Sequence, residues 1–453
     1  MSQKDGFNSK FGLIAAAVGS AVGLGNIWRF PYMVGTYGGG AFLIVYLILV
    51  SIIGTPILMS ELVIGRLGRR DAINSFKVMA PEKKWYFSGV FALLSAFLIF
   101  GFYCVVAGWT LEYLFQAIGN NFAGKSPDQL GEMFTGFITH PWKPILFSIL
   151  FLAITTFVVS FGVQKGIEKV STLLIPLLFV IIIILDIRAL TLPTMEGAQG
   201  AMAGLSFLFK PDWSLINSES ILAAMGHSFF TLSVGAAVLP TYGSYMKADQ
   251  NIPSTSVQIF IFDLLIAIMA GIAIFPSMFA FGMAPDQGPG LVFIILPNVF
   301  ASMPGGYIFG VLFFLLLALA ALTSTISLLE VVVAYLVDSK DMERKKASLL
   351  AAFGVACIAV VASLSNGAWS HITIMDKNIF DFLDFITANY GMTLAVMIEV
   401  LFLGWGYSKD KLYNSMTNDG TAATGVFSLY YFLIRFIAPI AIIIIFLHSI
   451  GLF

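Results

Sequence analysis

Polar residues inside apolar segments are the first feature of this sequence that could do chemistry. Asp263 lies in the middle of a long apolar run, and other apolar runs hold the polar side chains of Asn26, Tyr103, Thr231, Ser233, Thr323 and Ser324. Carboxylate, hydroxyl and carbonyl oxygens are the ligands that hard cations such as Na+ prefer. An acid deep in an apolar run is usually functional. These residues therefore predict a cation site, although a structural hydrogen bond between helices would also satisfy Asp263.

The composition places these residues in a membrane protein. The chain has 453 residues, of which 58% are hydrophobic and 11% are charged, whereas soluble domains carry about 25% charged residues. The net charge of -1 gives no reason to expect nucleic acid as a partner. The His and Cys residues show no metal-ligand spacing, and neither a His nor a second acid shares the depth of Asp263. We therefore do not expect an enzyme.

Apolar runs of about 20 residues predict transmembrane helices. We predict an all-α membrane protein with a single domain (1–453) and eleven spans, which are 11–37, 39–65, 86–119, 144–161, 166–187, 217–245, 253–281, 306–337, 346–363, 379–405 and 424–450. The stretches 120–142 and 188–215 are predicted to be loops. Most of the 24 Lys and Arg residues fall on the side of the N-terminus. This bias predicts a multi-pass cell-membrane protein with a cytoplasmic N-terminus and an extracellular C-terminus.

Two predicted spans contain residues that interrupt helices. The first span holds Gly19, Gly23 and Gly25, and the sixth holds Gly235 and Pro240. Glycine costs a helix about 1 kcal/mol and proline about 3 kcal/mol. The two spans run in opposite directions and begin five spans apart. This arrangement predicts inverted repeats over about 11–187 and 217–405, an additional helix at 424–450, and a binding site at the bilayer midplane.

The first break also offers a site for an anion. The second half of the span begins near Leu24 and Gly25, and the free N–H groups of a helix N-terminus suit a carboxylate. The remaining wall of the site is predicted to be apolar, with Ile99, Phe230, Ala236 and Leu328. Cation-binding oxygens beside anion-binding amides fit a zwitterionic amino acid that binds together with Na+.

Several runs of the sequence resemble the neurotransmitter:sodium symporters, the group of the bacterial leucine transporter. They are GSAVGLGNIWRFPY, GGGAF, FFTLSVG, TYGSY, ALTSTIS and KGIEKVSTLLIPLLF, and the resemblance covers almost the whole chain. It implies the leucine-transporter fold, with a 5+5 inverted repeat and interrupted helices 1 and 6. It also implies sodium-coupled import by alternating access. In character the chain is most similar to bacterial carriers of several hydrophobic L-amino acids.

The resemblance implies a role for individual residues. The first of two Na+ ions would be held by Ala21, Asn26, Thr231 and Asp263, and the second by Gly19, Val22, Ala320, Thr323 and Ser324. The substrate would be bound by Ala21, Gly23, Leu24, Gly25, Ile99, Tyr103, Phe230, Thr231, Ser233, Ala236, Ser324 and Leu328. Glu61 is expected to cap N–H groups that the breaks set free.

Four residues differ from the pattern of the family. Asp263 stands where many members have Asn, and Ala267 stands where chloride-dependent members have Ser, so we expect no chloride requirement. Ala21 replaces the Asp of monoamine carriers, which favours an amino acid over a bare amine. Ala236 replaces a bulkier residue of the leucine transporter and leaves room for larger side chains.

The resemblance also implies two gates, and the residues of span 5 suggest a hinge. The outer gate would consist of Arg29, Asp384, Tyr103 and Phe230, and the inner gate of Lys4, Phe7 and Asp338, although an ordinary exposed ion pair explains Lys4 and Asp338 nearly as well. Gly166 and Pro176 would bracket a hinge in span 5, although an ordinary proline kink explains them equally well. A proton-coupled carrier in which Asp263 titrates is the closest alternative, and an ion channel is a weaker one. The sequence does not indicate an oligomeric state.

Overall fold

The chain folds almost entirely into helices. The computed structural model describes residues 6–283, 291–421, 424–450 and 452. Within these ranges the strands are β1 (Thr373–Ile374) and β2 (Lys377–Asn378), which pair antiparallel. Because lipid offers no hydrogen-bond partner, a long apolar segment must satisfy its backbone groups within itself, and a helix does so.

The helices follow one another with short connections. In chain order they are α1 (Lys10–Ala21), α2 (Gly25–Thr36), α3 (Gly40–Gly68), α4 (Ala72–Met79), α5 (Lys84–Ile118), α6 (Pro127–Ile138), α7 (Lys143–Ser160), α8 (Val163–Leu190), α9 (Ala201–Phe209), α10 (Ser218–Thr231), α11 (Val238–Ser244), α12 (Ile252–Ala280), α13 (Leu291–Ser302), α14 (Gly306–Lys340), α15 (Arg344–Leu364), α16 (Ile379–Gly406), α17 (Lys409–Thr417) and α18 (Thr424–Ser449).

Nine helices among the described residues are long and apolar enough to cross a membrane, and the bent pair α1 and α2 raises the number to ten. The predicted span 217–245 is not one helix but two, α10 with 14 residues and α11 with 7 residues. Neither piece alone is long enough to span a bilayer. The predicted count of eleven spans is therefore not reached by this measure.

Both predicted interruptions are present in the structure. The axes of α1 and α2 differ by 48° across a break at residues 22–24. Between α10 and α11 the backbone takes positive φ angles at Ser233 (54°), Gly235 (79°) and Ala237 (57°). Residues other than glycine seldom adopt this left-handed conformation. The second break is therefore a turn with a defined backbone conformation and not the frayed end of a helix.

The predicted loops at 120–142 and 188–215 are wrong in part, because each contains a helix. Ser126 caps α6 together with Gln129, and Pro127 occupies the first turn. In α9, Gly204 packs so tightly on α12 that an added Cβ would lie 2.4 Å from the carbonyl oxygen of Phe275. The sequence does not reveal α9, because nine apolar residues are too few to span a membrane and the Gly and Pro residues on either side of it are typical of loops.

The centre of the bundle is formed by the broken helices and the two longest ones. Helix α14 packs along α5, and α1 packs against both α8 and α14. Gly19 makes the approach of α1 to α14 possible, since an added Cβ would lie 3.0 Å from the Cβ of Thr323. This packing brings the predicted site residues of α1, α5 and α14 to one place.

Candidate functional site

The two helix breaks face each other and are joined by hydrogen bonds. The Ser233 hydroxyl donates to the carbonyl oxygen of Ser20 at 3.0 Å. Glu61 of α3 supports the second break, because its Oε1 accepts a hydrogen bond from the Gly235 amide at 2.7 Å. The Glu61 carboxylate is almost fully buried. The expected role of Glu61 as a cap is thus borne out at this break.

A cavity lies between the breaks and is bounded by α5, α14 and α16. Its lining residues are Ser20, Ala21, Gly23, Gly25, Ile99, Tyr103, Phe230, Ser233, Ala236, Ser324, Ser327, Leu328 and Met392. Ten of the twelve predicted substrate residues are among them. The other two, Leu24 and Thr231, lie directly behind the wall. The Leu24 amide donates to the Tyr103 hydroxyl at 3.1 Å, and Thr231 is buried beside Asp263.

Glycine is required at the end of the cavity nearest Tyr103. A Cβ on Gly23 would lie 2.5 Å from the Ser324 hydroxyl oxygen and 2.9 Å from the Tyr103 hydroxyl oxygen. Both distances are shorter than real Cβ contacts. Gly23 therefore leaves the backbone of the first break open to a bound molecule.

Asp263 lies at the centre of a fully buried polar cluster. Its Oδ1 accepts hydrogen bonds from the Asn26 amide at 2.7 Å and from the Thr231 hydroxyl at 3.0 Å. The Asn26 side chain, which is 0% exposed like that of Asp263, also binds the Asp263 carbonyl oxygen at 3.1 Å. Within the described part of the chain, no Lys or Arg forms an ion pair with Asp263.

This cluster fits a Na+ ion. A buried carboxylate without a cationic partner is costly, and a bound cation would remove that cost. Asp263, Asn26 and Thr231 offer carboxylate, amide and hydroxyl oxygens, which are the ligands that a hard cation prefers. In contrast, the described residues contain no group of three His, Cys, Asp or Glu side chains that could hold a transition metal.

The residues predicted for a second cation also meet, between α1 and α14. The Thr323 hydroxyl donates to the Ala320 carbonyl oxygen at 2.9 Å. The Ser324 hydroxyl lies 3.4 Å from the Gly19 carbonyl oxygen. Val22 follows directly after α1, with its backbone turned out of the helix at ψ 94°. Carbonyl and hydroxyl oxygens therefore converge here, again as a hard cation requires.

Three residues of the cavity were not predicted from the sequence. Ser327 lies one helical turn after Ser324 on the same face of α14, so its position could have been inferred. Ser20 is hydrogen-bonded to the second break, and Met392 reaches the cavity from α16. Only the packing of α16 against the second break reveals Met392.

The predicted outer gate is present only in part. The guanidinium of Arg29 lies over the ring of Phe230, 4.7 Å from its centroid. Arg29 and Asp384 form no ion pair within 4.0 Å, although both are described residues. A guanidinium on an aromatic face is already stabilised by the cation–π interaction. The outer gate formed by Arg29, Asp384, Tyr103 and Phe230 therefore stays a prediction, of which this structure contains the Arg29–Phe230 contact.

Of the predicted inner-gate residues, Phe7 is buried against two tyrosines that were not predicted. Lys4 lies outside the described residues, so its pairing with Asp338 stays a prediction. Phe7 is 1% exposed and packs edge-on against Tyr242 of α11 and against Tyr245, the residue that follows α11. Its amide donates to the Tyr245 carbonyl oxygen at 3.3 Å. These contacts fix the N-terminal segment against the end of α11.

Glu168 ties this N-terminal segment to α8. Its carboxylate accepts hydrogen bonds from the Asn8 amide at 2.8 Å, the Ser9 amide at 3.1 Å and the Ser9 hydroxyl at 2.8 Å. Gly12 lies against the same carboxylate, where an added Cβ would be 2.1 Å from Oε1. Buried carboxylates with several N–H donors form strong hydrogen bonds. Glu168 therefore acts as a clamp on the start of α1.

A second charged group lies nearby on α14. Glu330 is 0% exposed and is paired with Arg344 of α15. It also accepts a hydrogen bond from the Tyr245 hydroxyl at 2.6 Å.

The predicted hinge residues lie in α8, where Gly166 belongs to a wide helical turn at 163–168 and Pro176 lies inside the regular helix. In this structure α8 is helical throughout.

The intramembrane charges Arg435 and Glu399 have different surroundings. Arg435 of α18 lies over the ring of Trp405 at 4.2 Å and donates to the Tyr431 hydroxyl at 3.3 Å. It thus fastens α18 to α16 through cation–π contacts. Glu399 is 2% exposed, and its Oε1 has no hydrogen-bond partner among the residues that the structure describes.

Comparisons with known proteins agree with this architecture. The profile of the sodium:neurotransmitter symporter family matches residues 4–130 and 138–453. An uncharacterized sodium-dependent transporter of Bacillus subtilis, YhdH, is 38% identical over 444 residues, which cover 98% of this chain and 97% of that protein. A second uncharacterized sodium-dependent transporter, from Haemophilus influenzae, is 33% identical and covers 99% of this chain and 98% of its own length.

A solved structure has the same fold. The crystal structure of MhsT in complex with L-phenylalanine superimposes with a TM-score of 0.90, at 43% identity, and covers 99% of this chain and 100% of that one. MhsT has the leucine-transporter fold, as the sequence resemblance implied. The chain is therefore a multi-pass, sodium-dependent membrane transporter and not an enzyme, and it belongs to the sodium:neurotransmitter symporter family.

Proposed function

We propose that this chain imports hydrophobic L-amino acids together with two Na+ ions by alternating access and without chloride. The observation that carries this proposal is the lining of the central cavity. Among the described residues, the lining holds apolar groups, hydroxyls and glycine backbone, with no Asp, Glu, Lys, Arg or His. A charged substrate side chain would have no partner there. The likeness to MhsT bound to L-phenylalanine supports the same class of substrate.

The ends of the zwitterion have separate partners in this proposal. The substrate carboxylate would meet the Gly25 amide, the Tyr103 hydroxyl and the positive end of α2. Its ammonium group would meet carbonyl oxygens at the ends of α1 and α10, beside Ala21 and Phe230. The side chain would then contact Ile99, Ala236 and Leu328. Ala236 is 2% exposed and leaves space that a larger residue would fill.

Each Na+ would supply a positive charge where the chain has only oxygen ligands. The first would be held by Ala21, Asn26, Thr231 and Asp263. The second would be held by Gly19, Val22, Ala320, Thr323 and Ser324. Because Asp263 already provides a buried negative charge, an anion such as chloride would be repelled from its surroundings. This is the physical basis for the proposed independence of chloride.

Alternating access would use the contacts at both ends of the cavity. Arg29 and Phe230 lie on the side of α2, and Phe7 with the Glu168 clamp lies on the side of the N-terminus. We propose that release of the Phe7 contacts and a bend of α8 between Gly166 and Pro176 open the cytoplasmic path. The membrane potential contributes about 2.3 kcal/mol per charge per 100 mV to the entry of each ion.

The test is uptake of radiolabelled L-phenylalanine into proteoliposomes. We expect accumulation under an inward Na+ gradient, none when K+ replaces Na+, and no change when gluconate replaces chloride. A chloride requirement would refute the chloride part of the proposal alone. Uptake that follows a proton gradient and ignores Na+ would favour the proton-coupled alternative, in which Asp263 carries the proton. Accumulation of charged but not hydrophobic amino acids would refute the substrate class.

A further inference from the structure

Two basic side chains lie over one aromatic ring where the last turn of α16 meets α18. The guanidinium carbon of Arg435 is 5.6 Å from the centroid of the Tyr431 ring, and the Lys409 ammonium is 5.1 Å from the same centroid. Trp405 of α16 covers the guanidinium at 4.2 Å. We call Arg435, Lys409, Tyr431 and Trp405 the basic–aromatic cluster.

Hydrogen bonds hold the basic–aromatic cluster in position. The Tyr431 hydroxyl donates to the Gly404 carbonyl oxygen at 3.1 Å and accepts from Arg435 at 3.3 Å. The indole N–H of Trp405 donates to the Arg435 carbonyl oxygen at 3.1 Å. An added Cβ on Gly404 would lie 3.1 Å from the Cα of Arg435, so the two helices are in close contact here. The arginine is therefore held at a fixed place between α16 and α18.

The two positive charges have no counter-ion among the described residues. Neither Arg435 nor Lys409 forms an ion pair with Asp or Glu there, and this includes Asp410, which follows Lys409. A guanidinium has five N–H donors, yet in the same part of the chain Arg435 donates only to Tyr431, and its Nε has no partner. Aromatic faces stabilise a cation but do not neutralise it. An anion would therefore complete the cluster.

The basic–aromatic cluster lies where an apolar segment gives way to a polar one. Helix α16 ends at Gly406, one residue after Trp405, and the polar helix α17 begins at Lys409. Trp405 is 57% exposed. Tryptophan and tyrosine are enriched at the interface between membrane and water, and long basic side chains near the ends of spans extend toward it. The cluster is therefore at the depth of the lipid head groups.

An exposed apolar stripe begins beside the guanidinium. Phe432, Phe436 and Ile440 are four residues apart on one face of α18 and are 51%, 43% and 57% exposed. The ring of Phe436 lies 5.6 Å from the Arg435 guanidinium. From there to Ile440 the stripe runs away from α17 and into the apolar part of the membrane. An acyl chain fits along this stripe while its head group contacts the cluster.

We infer that the basic–aromatic cluster binds the head group of an anionic phospholipid, whose acyl chain packs along Phe436 and Ile440. Arginine binds phosphate oxygens through its fork of N–H donors, and lysine binds them as a point charge. Basic pockets between transmembrane helices bind such head groups. The inference depends on the chain being a membrane protein and not on the proposed substrate.

The test is native mass spectrometry of the purified protein with added phosphatidylglycerol or phosphatidylcholine that have the same acyl chains. The dissociation constant follows from the fraction of protein that keeps one lipid. We expect the anionic lipid to bind about tenfold more tightly or better, because each basic side chain near a membrane surface contributes a factor of about five. Lys409→Gln should reduce this preference about fivefold, and the double variant Lys409→Gln, Arg435→Gln should bind both lipids equally.

The double variant Lys377→Gln, Arg188→Gln is the matched control. Lys377 lies over the Phe385 ring at 5.1 Å, and Arg188 lies over the Phe309 ring at 5.4 Å. The control therefore removes one Lys and one Arg from cation–π contacts outside the cluster, and it should keep the preference for phosphatidylglycerol. Glycerol 3-phosphate, which has the charge of the head group and no acyl chain, should not displace the bound lipid.

Equal binding of the two lipids to the native protein would overturn the inference, and so would a preference that survives in Lys409→Gln, Arg435→Gln. Displacement of the lipid by glycerol 3-phosphate would also overturn it, because the site would then take a free phosphate. Lys409 is exposed, so Lys409→Gln alone leaves the packing of α18 intact. An unchanged preference in that single variant would overturn the inference as well.

Discussion

Asp263 shows how one residue links sodium to the neighbouring helices. Its carboxylate is bound by Asn26 of α2 and Thr231 of α10, so one buried group joins both broken helices. A charge at this point does two things in the proposed mechanism. It attracts Na+, and it takes the place of a chloride ion. Both effects depend on the charge and little on the shape of the side chain.

Asp263→Asn removes the charge and keeps the size of the side chain. We expect the Na+ concentration for half-maximal uptake to rise by about tenfold or more, because about 1.4 kcal/mol of lost attraction accounts for each factor of ten. The measurement is L-phenylalanine uptake as a function of Na+, with chloride or with gluconate. The exposed Asp212→Asn is the control. An unchanged Na+ dependence would contradict the assignment of Asp263 to a sodium site.

Gly23→Ala tests the contact between the first break and the substrate. The added methyl group would collide with Ser324 and Tyr103, so we expect substrate affinity to fall by about tenfold or more. Gly131→Ala in α6 is the control, because a Cβ there meets nothing within 4 Å. The affinity is measured as binding of radiolabelled L-phenylalanine to the purified protein. Equal affinities of the two variants would show that the substrate does not approach Gly23.

At the scale of elements, the second break is a defined turn with a conformational cost. Ala237 has a φ of 57° and is fully buried. A left-handed conformation costs an L-residue about 1–2 kcal/mol, whereas a glycine adopts it freely. The contacts of Glu61 and Ser233 with neighbouring backbone hold the turn in place.

Ala237→Gly should therefore cost less stability than the same change in a regular helix. The control is Ala351→Gly in α15, a buried helical position where glycine costs about 1 kcal/mol in addition to the lost methyl group. We expect Ala237→Gly to retain the higher melting temperature in detergent. The reverse order would show that the left-handed turn is not present in the stable state.

The Glu168 clamp belongs to the same scale, since it joins the start of α1 to the start of α8. Hydrogen bonds to a charged group are worth about 1.5–3 kcal/mol, so Glu168→Ala should loosen residues 8–12. We expect hydrogen–deuterium exchange of that segment to become faster by about tenfold or more. Glu343→Gln is the control, because Glu343 is exposed and forms an exposed ion pair with Lys346. Unchanged exchange would mean that other contacts hold the segment.

At the scale of the whole molecule, the orientation of the protein in the membrane can be tested directly. We propose that the N-terminus is cytoplasmic, because Lys and Arg concentrate on that side. In a background with Cys104 and Cys357 replaced, a cysteine at Ser126 should react with an impermeant maleimide added to intact cells. A cysteine at Ser408 should react only after lysis. The opposite pattern would invert the proposed topology and the direction of the gates.

The sequence by itself determined the membrane class, nearly all long helices, both breaks and most of the cavity. Apolar length predicts a span, and Gly and Pro weaken a helix wherever they occur. These effects are local. The motif of the first span also identifies its relatives, and this resemblance implied the sets of residues for the two cations.

Only the tertiary structure decided which groups meet across distant helices. Met392 reaches the cavity because α16 packs on the second break. Glu168 clamps Ser9 although the two residues are 159 positions apart. Arg29 lies on Phe230 instead of pairing with Asp384. Such contacts depend on the relative position of whole helices. No local pattern encodes that position, because it results from all the packing contacts of the bundle together.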